Sequence, residues 1–181
     1  LTFLTPTYFR YYREISPSLR LIFVGSEPAN RIYSDQVKII NVYAMSESGF
    51  VVSMFLIDQL YDVTPIGKPA LPMELMLLDD AGKPVPDGEA GELCFHNPFV
   101  RGYLNLPEIN DHAFTANRIY HTGDIARRLP DGNYVLLGRS NDMIKINGNR
   151  IEPAEIESAV KKVLGVNWVA AKGFEVDGSA F

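Results

Sequence analysis

Cysteine is almost missing from this chain. The single one, Cys94, excludes an internal disulfide framework and a cysteine-rich zinc cluster. Long apolar runs are missing too, since no stretch approaches the roughly 18 to 20 residues that cross a bilayer. Positive charge is neither abundant nor clustered. The 17 Lys and Arg are scattered among 22 Asp and Glu, for a formal net charge of −5. A nucleic-acid surface needs a basic stripe to neutralise phosphates, so neither nucleic acid nor membrane is expected as a partner. There is no internal repeat, no low-complexity tract and no visible signal peptide, which makes a reducing cytoplasmic setting the default expectation. What is present is an ordinary globular balance, 46% hydrophobic and 22% charged, over 181 residues. That length suits one domain or two small ones, with a sizeable core. The chain opens at Leu1 directly into structured signals and stops at Phe181 in a strand-like stretch, so both ends read as cut from something longer.

Three units are expected. Residues 1–62 read as the end of an α/β, parallel-sheet unit. Thr5-Pro6 starts a short helix toward Ile15, with Pro at the first helical position. Leu19 to Val24 and Lys38 to Tyr43 are apolar runs of the kind buried on both faces of a sheet. Val51 to Ile57 fits either helix or strand. Residues 63–139 read as a β-rich, barrel-like or sandwich-like unit, with strands at Glu74 to Leu78, Glu92 to His96 and Tyr134 to Gly138 separated by Gly, Pro and Asp turns. Residues 140–181 read as the start of a small α+β unit. There Ile156, Ala159, Val160, Val163 and Leu164 form one apolar stripe of a helix opened by Pro153, which predicts that it lies on a sheet. Asn167 to Phe174 reads as a strand.

Four motifs carry the candidate chemistry. Asn41-Val42-Tyr43-Ala44-Met45-Ser46-Glu47 ends a buried strand, where open α/β sheets bind ligands. A Tyr there stacks on a flat base, a Ser bonds phosphate and a Glu holds magnesium through oxygen. A strand-ending turn with a core Tyr explains the same residues. Tyr120-His121-Thr122-Gly123-Asp124 places a carboxylate after a glycine turn, shaped to accept a ribose diol or to be an ordinary turn aspartate. His121 reads as a surface or packing histidine, no partner being evident. Gly91-Glu92-Leu93 followed by Val100-Arg101-Gly102-Tyr103-Leu104 reads as structural: strand, loop, glycine and strand. Gly138 to Glu152 is a polar joint, a strand and a glycine turn into a helix, which suits a hinge or a rigid loop.

In this order and spacing the motifs resemble the adenylate-forming superfamily, which includes peptide-synthetase adenylation domains, D-alanine:carrier-protein ligases and acyl-CoA synthetases. The patterns Asn-x-Tyr-Gly-x-Thr-Glu, Gly-Glu-Leu with Arg-Gly-Tyr-Leu, Tyr-x-Thr-Gly-Asp and Gly-Arg-x-Asp…Lys-Ile-x-Gly-x-Arg-Ile-Glu are similar to residues 41–47, 91–104, 120–124 and 138–152. Gly25-Ser26-Glu27 resembles a further Gly-Gly-Glu segment. Ala44, Ser46 and Asn141 depart from the commoner Gly, Thr and Asp.

The resemblance implies a fragment of an acetyl-CoA synthetase-like fold. It implies activation of an amino acid by ATP and transfer to the phosphopantetheine thiol of a carrier protein. Tyr43, Gly25, Asp124 and Arg139 would hold the nucleotide. Ser46 and Glu47 would serve the phosphates, Glu47 through magnesium. Asn141 would be the hinge, Lys145 and Gly148 the thiol-transfer face, and Ile22, Val24, Val42, Phe50 and Val51 a pocket for a hydrophobic or small uncharged substrate side chain. The family's phosphate loop and C-terminal lysine are expected outside this chain, so the isolated fragment is expected to be inactive. Acyl-CoA or fatty-acyl-AMP chemistry is the alternative, and a non-catalytic scaffold or binding module the alternative of another class.

Overall fold

A computed structural model describes residues 1–11, 15–115, 117–140, 144–146, 149–151, 153–166, 168–172, 175–176 and 179–180. Its first sheet has five strands in chain order: β1 (Thr2–Leu4), β2 (Leu21–Val24), β3 (Lys38–Ala44), β4 (Val51–Ile57) and β5 (Lys68–Pro69). β1, β2 and β3 run parallel, and β4 and β5 return antiparallel. The ambiguous Val51 to Ile57 segment is therefore a strand. Helix α1 (Pro6–Tyr11) starts at the expected proline. Glu27 anchors that start, its carboxylate accepting Thr7 N at 2.9 Å and the Thr7 hydroxyl at 2.5 Å.

One sheet face builds a core of Ile22, Val24, Ala29, Ile32, Val37, Ile39 and Ile57, with Leu4 and Phe9 packed against it. The other face is more open. Phe3, Met54 and Leu56 stand 53%, 44% and 51% exposed. The expectation that β2 and β3 are buried on both faces holds in part: Leu21, Phe23, Ile40 and Val42 on this face are half-buried, and Val52 beside them on β4 is fully buried.

The second sheet is an antiparallel meander of β6 (Glu74–Leu78), β7 (Ala90–His96), β8 (Ile119–Arg128) and β9 (Tyr134–Arg139). Helix α2 (Pro107–Ala113) precedes β8; the expected second strand around 100–104 is absent, those residues forming a loop and turn. Two small cores lie against the meander, one of Ile66, Leu77, Leu93, Ala126 and Tyr134, the other of Val52, Met73, Phe95 and Tyr120. Tyr43 and Leu75 pack on both.

Residues 64–67 join the sheets. Ile66 N donates to Tyr134 O at 2.8 Å and Tyr134 N to Gly67 O at 2.9 Å. Buried Asn41 and Ser53 hold the same segment by bonds of 2.8 Å to the carbonyls of Pro65 and Ile66. Gly67 has φ +92°, and a Cβ there would lie 1.8 Å from the Met54 carbonyl oxygen, so only glycine fits.

After β9 come the hairpin of β10 (Ile144–Ile146) and β11 (Asn149–Ile151), helix α3 (Pro153–Leu164), and the hairpin of β12 (Glu175–Val176) and β13 (Ser179–Ala180). The α3 stripe is not buried as expected: Val163 and Leu164 are 80% and 66% exposed, since no sheet among the described residues covers them. Residues 168–172 are irregular rather than a strand. No helix is long and apolar enough to cross a membrane among the described residues.

Candidate functional site

Tyr43 lies near the carboxyl end of the parallel strand β3, where the two sheets meet. Its hydroxyl donates to Asp124 Oδ2 on β8. Asp124 and Arg139 are direct cross-strand partners, and Arg139 Nε sits 3.0 Å from Asp124 Oδ1. Thr122 fixes the acid from behind: its hydroxyl accepts Asp124 N at 2.9 Å, while its carbonyl accepts Arg139 at 3.2 Å. Gly123, at φ +71°, makes the local bend that brings Thr122 and Asp124 into this arrangement. The expected glycine turn is thus a distortion within one ten-residue strand rather than a loop.

Burial decides the ionisation here. The Asp124 side chain is 13% exposed, against 62% for Arg139. Desolvation pushes the Asp124 carboxyl above the ordinary aspartate value, although the Tyr43 hydrogen bond and the Arg139 charge both pull it down. Burial, then the Asp124 charge, pushes the Tyr43 hydroxyl well above the usual phenol range, so it stays a protonated donor.

Glu47 stands in a 3-10 turn, Ser46–Ser48, directly after β3. Buried Ser48 closes the turn, its single hydroxyl proton shared between the Met45 carbonyl at 2.7 Å and the Phe50 carbonyl. Gly49 leaves it at φ +66°. Fully buried Asn97 grips the Glu47 carbonyl at 2.5 Å, while its own carbonyl oxygen accepts Phe99 N and Val100 N. The Glu47 carboxylate accepts the Tyr103 hydroxyl at 2.9 Å, and Tyr103 lies 3.2 Å from the Tyr120 hydroxyl. Ser46 is exposed. Glu47 and Asp124 therefore sit in two hydrogen-bonded nodes, connected by the short stretch from Tyr43 to Glu47 and by β8 from Tyr120 to Asp124.

A third group braces the strand that carries Asp124. Glu92 on β7 accepts Gly123 N at 2.9 Å with one oxygen and meets His121 Nδ1 at 2.8 Å with the other. Cys94 Sγ lies 3.5 Å from the same Nδ1. A nucleophile-base-acid relay needs the thiol and the acid on different ring nitrogens, so this trio is no catalytic triad. Burial pushes the Cys94 thiol up to about 12, which keeps it neutral. His121 has a partner after all, 29 residues away along the chain.

The remaining expected residues are less gathered. Gly25 is buried where β2 and β3 run close; a Cβ there would lie 2.7 Å from the Val42 carbonyl oxygen. The five expected pocket residues do not share one surface. Ile22 and Val24 are fully buried in the first core, because alternation along β2 points them at it. Val42 follows Asn41 on β3 and so faces the opposite side, Val51 is half-buried and Phe50 is 53% exposed. Lys145 pairs with Arg150 in the β10–β11 hairpin, of which only the backbone is described. Asn141 and Gly148 lie outside the described residues. Two surface recesses, of about 420 and 600 Å³, are lined by residues such as Phe9, Arg31 and Leu60, and by Lys68, Glu74 and Arg128; neither includes Tyr43, Glu47 or Asp124. Sequence reasoning missed Asn97, Tyr103, Asn110 and Glu92 as partners of the site. Only Glu92 and Tyr103 carried a signal, their place in the Gly-Glu-Leu and Arg-Gly-Tyr-Leu stretches.

Residues 2–104 match the family model described as AMP-binding enzyme. Bacitracin synthase 1 of Bacillus licheniformis is 38% identical over 152 residues, which cover 80% of this chain and 3% of that protein. Nonribosomal peptide synthetase 7 of Aspergillus fumigatus is 37% identical over 155 residues, covering 81% of this chain and 7% of that protein. Among solved structures, the anthranilate CoA ligase AuaEII in complex with anthranoyl-AMP is 26% identical with a TM-score of 0.78, covering 96% of this chain and 36% of that one. The O-succinylbenzoate coenzyme A synthetase of Bacillus subtilis, in complex with ATP and magnesium ion, shares the fold at 23% identity, a TM-score of 0.78, and coverage of 99% and 40%. The chain thus spans less than a tenth of the length of these curated relatives.

Proposed function

The chain belongs to the AMP-binding enzyme family, the adenylate-forming ligases, and from that premise we propose that the protein carrying it activates an amino acid as aminoacyl-AMP and passes it to the phosphopantetheine thiol of a carrier protein. The observation that carries the reading is the pairing of Tyr43, Asp124 and Arg139 beside a turn that presents Glu47. The likeness to bacitracin synthase 1 and to a fungal nonribosomal peptide synthetase favours an amino-acid substrate.

In this reading the substrate carboxylate attacks the α-phosphate of ATP, an O–P bond forms, and pyrophosphate leaves. Asp124 receives the ribose hydroxyls, since a carboxylate has lone pairs beyond those engaged by Tyr43 and Arg139. Tyr43 and Gly25 border the base, and exposed Ser46 offers a hydroxyl to phosphate. Glu47 fits magnesium, which takes one or two protein carboxylates beside substrate phosphates: Tyr103 occupies one of its oxygens, leaving the other for an oxygen-coordinated ion. Magnesium, when bound, offsets the charge of the phosphates. Asn141 is assigned the hinge, Lys145 and Gly148 the thiol-transfer face, and Val42, Phe50 and Val51 remain the candidate substrate wall. A reducing cytoplasmic setting belongs to the same reading.

The test is ATP–pyrophosphate exchange by the full-length protein across a panel of amino acids. Exchange with an uncharged amino acid is expected, and Asp124→Ala is expected to raise KM for ATP by about tenfold. Exchange with aryl or fatty acids alone would move the protein to the acyl branch, which the 26% likeness to a CoA ligase favours. No exchange with any carboxylate would leave the non-catalytic reading.

A further inference from the structure

Tyr103 lies in a loop remote in sequence from Glu47, yet its hydroxyl meets the Glu47 carboxylate at 2.9 Å across 56 residues of chain. Its placement is over-determined. Asn110 on α2 accepts Tyr103 N at 2.6 Å and donates to Tyr103 O at 2.8 Å, so both backbone polar groups are clamped by one side chain. Gly102 permits the clamp: its φ is +142°, and a Cβ there would fall 2.7 Å from Asn110 Oδ1. The ring packs edge-on to Phe114, at a centroid separation of 6.3 Å. Buried Asn97 fixes the backbone of Glu47 independently, so the turn and the carboxylate are held by different residues.

We propose that Tyr103 is a positioning residue for Glu47, orienting its carboxylate toward the divalent cation that accompanies ATP. This rests on the adenylation reading and deepens it. The Tyr103 hydroxyl is the donor in this bond, since an ionised carboxylate only accepts. A carboxylate with Oε1 held by that O–H presents Oε2 in one direction. Without the bond it swings on its own torsions, and coordination must pay the ordering entropy.

The experiment titrates the full-length protein with Mn²⁺ in the presence of a non-hydrolysable ATP analogue, following free Mn²⁺ by electron paramagnetic resonance. Tyr103→Phe is expected to weaken Mn²⁺ binding by about tenfold, the scale of one hydrogen bond to a charged group, with a small fall in melting temperature and an unchanged circular-dichroism spectrum. In exchange assays the Mg²⁺ concentration at half-saturation should rise while KM for the amino acid stays constant. Adding Tyr103→Phe to Glu47→Gln should change Mn²⁺ binding no further, because the two act through one carboxylate. Asn110→Asp, which keeps the acceptor and loses the donor, should weaken Mn²⁺ in the same direction by less. Unchanged Mn²⁺ affinity in Tyr103→Phe, or an equal added loss on the Glu47→Gln background, overturns the positioning role alone. A wild-type protein without nucleotide-dependent Mn²⁺ binding overturns the adenylation reading as well.

Discussion

Asp124 holds its carboxyl where charge is costly. The opposing influences of Tyr43 and Arg139 do not cancel its desolvation, so the folded pKa is raised. A raised pKa means that the stability contribution of this group is full below the ordinary aspartate value, about 4, and is lost as pH rises through the raised value. Asn at this position is neutral throughout. The melting temperature of Asp124→Asn, relative to wild type, is therefore expected to climb over that pH rise and then level. A difference that falls instead would mean that Arg139 and Tyr43 outweigh burial. Nucleotide affinity should move the opposite way, since the variant loses the acceptor that the ribose reading requires.

Among the elements, the joint between the sheets is the most constrained. Gly67 and Gly82 both have positive φ, at +92° and +72°. Only Gly67 would drive a Cβ into backbone, 1.8 Å from the Met54 oxygen; Gly82 has nothing within 4 Å. Gly82→Ala is expected to cost about 1 kcal/mol from backbone strain alone. Gly67→Ala is expected to cost about 3 kcal/mol or more, since β4 must shift away. Denaturant unfolding of the two variants checks the contrast, and similar losses would show that β4 yields freely at this joint.

Across the whole molecule the cores are separate. The first gathers Ile22, Val24 and Ile39; the second gathers Leu77, Leu93 and Tyr134; they have no member in common. Ile22→Ala and Leu93→Ala, both at fully buried positions, should each cost about 2–5 kcal/mol. The double variant should equal the sum to within about 0.5 kcal/mol, measured by denaturant unfolding. A larger departure would mean that the joint at 64–67 couples the two layers.

The order of β2, β3, β6, β7 and β9, and the Gly and Pro turns between them, was readable in the chain because β-branched runs and turn residues act locally. The motif order that carried the family resemblance was readable for the same reason. Register was not. Gly123 disguised β8 as a turn, and polar α2 carried no apolar stripe to announce it. Alternation sent Ile22 and Val24 into the core rather than into a shared pocket wall. The bonds from Tyr103 to Glu47, Glu92 to His121, and Tyr43 to Asp124 span 56, 29 and 81 residues. Such partners are set by which strands pair and in what register, and only the folded chain makes that choice.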